Sequence, residues 1–137
     1  MITAVDTNVL LDVFGADPAF GPRSKEALRT CLAAGQLVAC EIVWAEVTGC
    51  FPNPQAASDA MHRLNVAFSP LEKEAALAGG QAWKAYRSRG GARQRVIADF
   101  LVGAHALIHA ERLLTRDRGF YRPAFSHLKV FDPSTSP

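Results

Sequence analysis

Four acidic residues of this 137-residue chain stand where a purely structural sequence would not readily place them. Asp6 and Asp117 each follow a short apolar run, whereas Glu46 and Asp99 lie within apolar segments of helical character. Carboxylates that converge repel one another and raise each other's pKa unless a cation neutralises them. Hard oxygen ligands favour Mg²⁺ or Mn²⁺. Together the four predict a divalent-metal site that activates water and neutralises charge on a phosphodiester.

Asp99 is the most informative of the four, because it is the only formally charged residue between positions 96 and 108. A helix that is apolar on nearly every side is buried on nearly every side. A carboxylate there costs several kcal/mol unless a positive or hydrogen-bonding group compensates it. Arg95, four residues earlier, is one candidate partner, and a bound cation is the other.

Each remaining acid has a structural alternative. Asp6 could cap the following helix or form a turn, Glu46 could lie on the exposed face of an amphipathic helix, and Asp117 precedes a turn-forming Gly119. A shared metal site accounts for all four positions at once. Two of the acids end strands that a parallel sheet can place side by side, which is where open α/β sheets bind ligands.

The charge of the chain is unevenly distributed. Residues 1–83 carry five basic and nine acidic residues, whereas residues 84–129 carry ten basic and three acidic residues. A basic second half is expected for a protein with a phosphate-bearing partner. The alternative is a solvated surface on which the arginines pair with acids from the first half.

Length and composition predict one α/β domain spanning residues 1–137, with 132–137 as a frayed tail. The 49% hydrophobic content excludes a disordered protein. Three cysteines without a CxxC pair argue against a disulfide scaffold, and with no leader-like N-terminus they favour the cytoplasm. No apolar run reaches the roughly 20 residues of a membrane helix.

Alternating short apolar runs and helical stretches predict a mostly parallel sheet. The predicted strands are 2–5, 37–40, 66–68, 112–115 and 128–131. The predicted helices are about 8–14, 24–34, 41–48, 55–64, 70–88 and 95–111. Residues 116–125 are predicted to form a loop, with at most a helical turn.

The pattern as a whole resembles the PIN-domain family, and more narrowly the VapC-type ribonuclease toxins of bacterial type II toxin–antitoxin systems. The resemblance rests on Asp6-Thr7-Asn8 after the first strand, on Glu46, on Asp99 in an Ala-Asp-Phe-Leu-Val-Gly-Ala-His-Ala segment, and on Thr115-Arg116-Asp117. These pieces are individually weak, but they occur in the family's order and spacing over essentially the whole chain.

The resemblance implies a three-layer α/β/α sandwich around a mostly parallel five-stranded sheet, and a homodimer. It implies Mg²⁺- or Mn²⁺-dependent endoribonuclease activity, with inhibition by a VapB-type antitoxin. Asp6, Glu46, Asp99 and Asp117 would be the catalytic, metal-binding acids, supported by Asn8 and Thr115. Some relatives have a further acid where this chain has Gly119, which weakens the expectation of a second tightly held metal.

Further residues are candidates for RNA contact, chiefly through charge. They are Arg87, Arg89, Arg93, Arg95 and Arg116, and some of them could instead pair with acids of the chain or of the antitoxin. His105, in the apolar helix, is interpreted as a core histidine rather than a catalytic base.

Two other functions remain open at this stage. A catalytically silent PIN-like module could bind RNA or protein, although the intact acidic quartet argues against it. An aspartyl-phosphate phosphohydrolase would also place Asp6 after the first strand, but such enzymes have a second aspartate where Asn8 stands.

Overall fold

The computed structural model describes residues 1–91 and 95–134, which form five strands and seven helices. The strands are β1 (Ile2–Val5), β2 (Gln36–Ala39), β3 (Val66–Phe68), β4 (Arg112–Leu114) and β5 (Val130–Phe131). The helices are α1 (Thr7–Phe14), α2 (Gly21–Ala34), α3 (Glu41–Thr48), α4 (Pro54–Arg63), α5 (Glu72–Ser88), α6 (Ile97–His109) and α7 (Arg118–Ala124).

The strands form one parallel sheet in the order β3-β2-β1-β4-β5, which places β1 at its centre. Successive residues of β1 and β2 are buried, as expected for strands covered by helices on both faces. The predicted α/β/α architecture with a five-stranded sheet is confirmed. The order of the strands brings the carboxyl ends of β1 and β4 together although they are about a hundred residues apart in the chain.

Local chemistry explains several helix boundaries. The Asp6 carboxylate accepts a hydrogen bond from the backbone N–H of Thr7 and so caps α1. Asn53 accepts from the N–H of Ala56 at the start of α4, where Pro54 fills a position that needs no N–H donor.

Several predicted elements differ from the structure. Helix α2 begins at Gly21 rather than at position 24, α5 begins at Glu72 rather than at position 70, and α6 ends at His109 rather than at position 111. Helix α6 begins at Ile97 rather than at position 95, because Val96 has extended backbone angles of φ −106° and ψ 164°. Asp99 therefore lies in the first turn of α6 and not in its middle. The predicted loop contains the helix α7, and the last strand is only Val130–Phe131.

Helices α5 and α6 pack closely because α5 has a glycine at the contact. A Cβ at Gly79 would lie 2.9 Å from a Leu101 methyl and 3.1 Å from the Phe100 carbonyl oxygen. On α6, Gly103 leaves the space that the Phe125 ring fills. Side chains larger than hydrogen at these positions would force the elements apart. Within the described part of the chain, no helix combines the length and apolar character needed to cross a membrane.

Candidate active site

Asp6 and Thr115 meet at the carboxyl edge of the sheet. They directly follow β1 and β4, which pair in parallel with Val5 opposite Leu114. The backbone N–H of Asp6 donates to the Leu114 carbonyl at 2.9 Å, which continues the ladder to the aspartate itself. Parallel pairing thus brings two polar side chains together, as expected for a ligand site in an open α/β sheet.

The Asp6 carboxylate is buried and hydrogen-bonded, with 8% of the residue exposed. Its Oδ2 accepts from the Thr115 hydroxyl at 2.7 Å and from the Asn8 amide at 3.4 Å. Burial raises the pKa of Asp6 from 3.8 to about 6, with a further contribution from the charge of Glu46, while the hydrogen bonds from Thr115, Thr7 and Tyr121 oppose the shift. Within the described residues Asp6 has no ion-pair partner.

Thr115 and Asn8 connect the acids to one another. The Thr115 hydroxyl donates to Asp6 and accepts from the backbone N–H of Asp117 at 3.0 Å. The Asn8 side chain donates to Thr115 at 3.4 Å and accepts from the N–H of Arg116 at 3.2 Å. This network fixes the loop after β4 against the start of α1, and hence the position of Asp117 relative to Asp6.

Glu46 reaches the same region from α3. Its Oε1 accepts from the Thr7 hydroxyl at 2.7 Å, and its charge acts on Asp6. Glu46 itself is exposed, so a solvated ion can approach it directly.

Asp99 and Asp117 complete the acidic group. Asp117 precedes α7, and its Oδ2 lies 2.7 Å from Arg95 Nη1. Asp99 accepts at 3.4 Å from the N–H of Val96, a long hydrogen bond near the start of α6. The ion-pair partner of Arg95 is therefore Asp117, and not Asp99 as the four-residue spacing suggested.

Tyr121 lies close enough to Asp6, Asp99 and Asp117 for their charges to act on its hydroxyl, and sequence reasoning missed it. Burial raises the pKa of the Tyr121 hydroxyl, and the charges of Asp6, Asp99 and Asp117 raise it further. The hydroxyl also hydrogen-bonds to Asp6. Tyr121 lies four residues after Asp117, one helical turn along α7. Its segment was predicted to be a loop, so the sequence did not indicate which way the Tyr121 side chain points.

The donor set fits a hard divalent cation, since all four acids offer carboxylate oxygens and Asp6 lacks a countercharge. As they stand, however, no three histidine, cysteine, aspartate or glutamate side chains of residues 1–91 and 95–134 are arranged to hold a metal ion. One of the four acids, Asp117, is already bound by Arg95. The residues therefore suit the cation in chemistry, and closing a site requires a shift of side chains.

The candidate RNA-binding arginines have different surroundings. Arg95 stacks over Phe120 at 4.3 Å, and Arg87 stacks over Trp83 at 4.1 Å. Arg116 is held by Asp12 through two contacts of 2.7 and 3.0 Å. Arg89 is exposed and borders a cavity described next, whereas Arg93 lies outside the described residues.

A cavity of about 390 Å³ opens beside Asp117. Its lining combines positive charge with aromatic carbon, and it includes Tyr86, Arg89, Arg95 and Phe120. A cavity of this composition next to a carboxylate can admit part of a phosphate-bearing chain.

His105 lies in the core, as predicted. It is 1% exposed, and its Nε2 lies 2.9 Å from the Ser69 hydroxyl oxygen. Burial, together with the charge of His109, lowers the pKa of His105 to about 4, so the imidazole is neutral at physiological pH. Its contacts are therefore those of a structural residue.

Comparisons with known proteins agree with this geometry. The profile of the PIN domain matches residues 3–126, which is most of the chain. Comparison with curated protein sequences gives no match.

Solved structures of similar fold cover almost the whole chain. The structure of VapBC2 from Rickettsia felis, bound to a DNA fragment from its promoter, aligns with a TM-score of 0.75 at 16% identity, covering 96% of this chain and 98% of the other. VapBC-1 from nontypeable Haemophilus influenzae aligns with a TM-score of 0.75 at 19% identity, covering 98% and 100%. FitAcB from Neisseria gonorrhoeae aligns with a TM-score of 0.70 at 21% identity, covering 99% and 100%. At these identities the likeness establishes a shared fold.

Proposed function

This chain belongs to the PIN-domain family, and from that premise we propose that it is a divalent-metal-dependent endoribonuclease, the VapC-type toxin of a toxin–antitoxin pair. One observation carries the proposal: Thr115 and Asn8 tie Asp6 to the loop that carries Asp117, and Glu46 reaches the same region through Thr7. The charges of Asp6, Asp99 and Asp117 also raise the pKa of the Tyr121 hydroxyl, which agrees with this placement. Such a concentration of carboxylates is costly in a protein whose only task is to fold.

In this proposal Asp6, Glu46, Asp99 and Asp117 hold Mg²⁺ or Mn²⁺. A cation held there would supply a water of lowered pKa and positive charge to offset that of the phosphodiester. The Asp6 carboxylate is kept in place by Thr115 and Asn8, so its oxygens do not have to reorient during the reaction. Tyr121 and the neighbouring apolar side chains exclude bulk water from the inner side of the acids.

The substrate side of the proposal rests on the cavity beside Asp117. Arg89 and Arg95 line it and provide positive charge for the RNA backbone. Arg87 lies two residues before Arg89, in the last turn of α5, and Arg93 remains a candidate from the sequence alone. Arg116, by contrast, is engaged by Asp12, so a role in RNA contact would require that ion pair to open.

We further propose a small VapB-type antitoxin as a partner and a homodimer as the assembly. The structures of similar fold are of VapBC and FitAB complexes, which supports the antitoxin. An RNA-cutting toxin with these partners would act in the cytoplasm.

The test compares the wild type with Asp6→Asn and Asp99→Asn in an RNA-cleavage assay with Mn²⁺ or with EDTA. We expect each variant to lose at least about 100-fold in rate, since ligand charge worth several kcal/mol is removed from the transition state. Asp59→Asn is the matched control, because Asp59 is an exposed acid on α4 whose carboxylate accepts a hydrogen bond from its helix neighbour Gln55. Cleavage that persists in EDTA and in both variants would contradict the proposal.

The Arg95–Asp117 pair favours a second candidate, a PIN-like module that binds RNA or protein without catalysis. An acid neutralised by an arginine needs no cation. A Mn²⁺ titration followed by thermal unfolding separates the two functions, because a ligand that binds only the native state must raise the unfolding temperature. No shift with Mn²⁺ would favour the binding module.

A further inference from the structure

Arg95 brings a positive charge of the chain itself to the acidic group. Its guanidinium lies 2.7 Å from Asp117, and the two side chains are 30% and 32% exposed. Partial burial alone would lower the pKa of Arg95, but the hydrogen bond and charge of Asp117, with the charge of Asp99, raise it. Arg95 therefore interacts with two of the four acids.

We propose that Arg95 is an internal counter-ion that holds Asp117 in the metal-free protein and has to release it when a divalent cation binds. The inference rests on the proposed function, because it presupposes that the acids bind a cation. Both positive groups require the same carboxylate oxygens, so their binding to Asp117 is competitive.

The arrangement of the acids supports this competition. Within the described residues no three candidate ligands are arranged around a common point, and Asp117 is the acid engaged by an arginine. Without any cation, the carboxylates would face one another uncompensated, at a cost that Arg95 reduces. The Arg95–Asp117 pair thus stabilises the metal-free arrangement of the acids. It must be broken before the acids can close around a cation.

The surroundings of Arg95 allow the guanidinium to move away. It stacks on the ring of Phe120 at 4.3 Å, and both residues line the cavity of about 390 Å³. Arg95 also precedes α6 rather than forming part of it, so no helical hydrogen bond of its own has to break. Once released from Asp117, the charge can stay at the cavity wall, where a phosphate of the substrate would meet it.

Calorimetric titration of the full chain with Mn²⁺, without RNA, tests the inference. We expect Arg95→Gln to bind Mn²⁺ about fivefold more tightly than the wild type, since a partly exposed ion pair of this kind contributes up to about 1 kcal/mol. Arg95→Lys keeps the competing charge and should stay near the wild type. Arg89→Gln is the matched control: it removes the same charge from the same cavity and should change the affinity less than Arg95→Gln does.

The outcomes separate the two proposals. Equal or weaker Mn²⁺ binding by Arg95→Gln, with normal binding by the wild type, overturns the inference and leaves the metal site intact. Binding by none of the proteins overturns both.

A measurement on the wild type does not depend on the folding of a variant. Arginine Nε–H signals in ¹⁵N-labelled protein should shift on addition of Mg²⁺ for Arg95, whereas those of Arg116, which is bound to Asp12, should stay in place. An unmoved Arg95 signal under saturating Mg²⁺ overturns the inference.

Discussion

Two arginine–aspartate pairs in this protein use the same residue types for different purposes. Arg116 binds Asp12 through two contacts, Asp12 is 5% exposed, and the Ser24 hydroxyl donates to the same carboxylate at 2.7 Å. Arg95 Nη1 lies 2.7 Å from Asp117 Oδ2, and about a third of each of these two side chains is exposed. Both guanidinium groups also stack on a phenylalanine ring.

The difference between the pairs lies in how completely the aspartate is satisfied. Asp12 has two arginine nitrogens and a hydroxyl, so its hydrogen-bonding capacity is largely used within the fold. Asp117 keeps an exposed side, next to other acids and a cavity. The Arg116–Asp12 pair, whose aspartate is buried and also bonded by Ser24, joins α1 to the loop after β4. The Arg95–Asp117 pair, whose aspartate stays partly exposed, can exchange partners.

The largest effect is expected for the Arg95–Asp117 pair, and it is an effect on activity rather than on stability. Asp117→Asn should lower Mn²⁺-dependent RNA cleavage at least about 100-fold, because the variant loses a charged ligand. Its free energy of unfolding should change by less than about 1 kcal/mol, because the lost ion pair is partly exposed. Cleavage assays and urea denaturation of one preparation measure both, and wild-type cleavage by the variant would refute the distinction.

Loss of the Arg116–Asp12 pair should instead lower the stability of the protein. Asp12→Ala leaves Arg116 without its partner and removes the acceptor of the buried Ser24 hydroxyl, so the free energy of unfolding should fall by about 2–3 kcal/mol. Urea denaturation measures the loss. Asp59→Ala, at an exposed acid of α4, should stay within about 0.5 kcal/mol of the wild type and serves as the control.

A third comparison concerns Asp12 and Asp6, a buried acid with an arginine and one without. Since the pKa of Asp6 is raised to about 6 from 3.8, the native state holds this proton more tightly than the unfolded chain. The contribution of Asp6 to stability therefore falls as pH rises between about 4 and 6. In EDTA, Asp6→Asn should gain about 1–2 kcal/mol relative to the wild type from pH 4.5 to pH 6.5. Parallel stability curves would show that burial does not perturb Asp6.

The smallest expected effects come from conservative replacements of the arginines. Arg116→Lys should cost about 1 kcal/mol of unfolding free energy, because a lysine cannot make both contacts to Asp12. Arg95→Lys should cost less than about 0.5 kcal/mol, since the ion pair with Asp117 is partly exposed and a lysine keeps the charge. Chemical denaturation of the two variants side by side measures the difference, and equal losses would remove the contrast between the pairs.

The fold could be predicted from the alternation of short apolar runs with helical stretches, because this pattern depends only on residues that are close in the sequence. Sequence reasoning predicted all five strands near their observed positions, and it predicted Asp6 and Asp117 at strand ends that a parallel sheet can place side by side. It could not find the bond between Asp12 and Arg116, which are 104 residues apart. In the sequence, nothing distinguishes Asp12 from any other polar residue of an amphipathic helix.

The errors around Asp99 and Tyr121 have local physical causes. The apolar run predicted a helix that begins at position 95. Val96 has an extended backbone instead, so α6 begins only at Ile97. The segment of α7 contains Gly119 and Pro123, which usually interrupt helices, yet a short helix forms there with Phe120 and Tyr121 in the core. Burial of two aromatic side chains outweighs the weak helical propensity of the segment.

The pairing of β1 with β4 also sets the moment at which a newly made chain can become active. Asp6 is synthesised early, but its hydroxyl partner Thr115 follows 109 positions later, and Tyr121 later still. At about 5–20 residues per second of bacterial synthesis, several seconds separate the first acid from the groups that fix it. A growing chain still on the ribosome therefore carries Asp6, Glu46 and Asp99 before it has the strand that aligns Asp6 with Thr115.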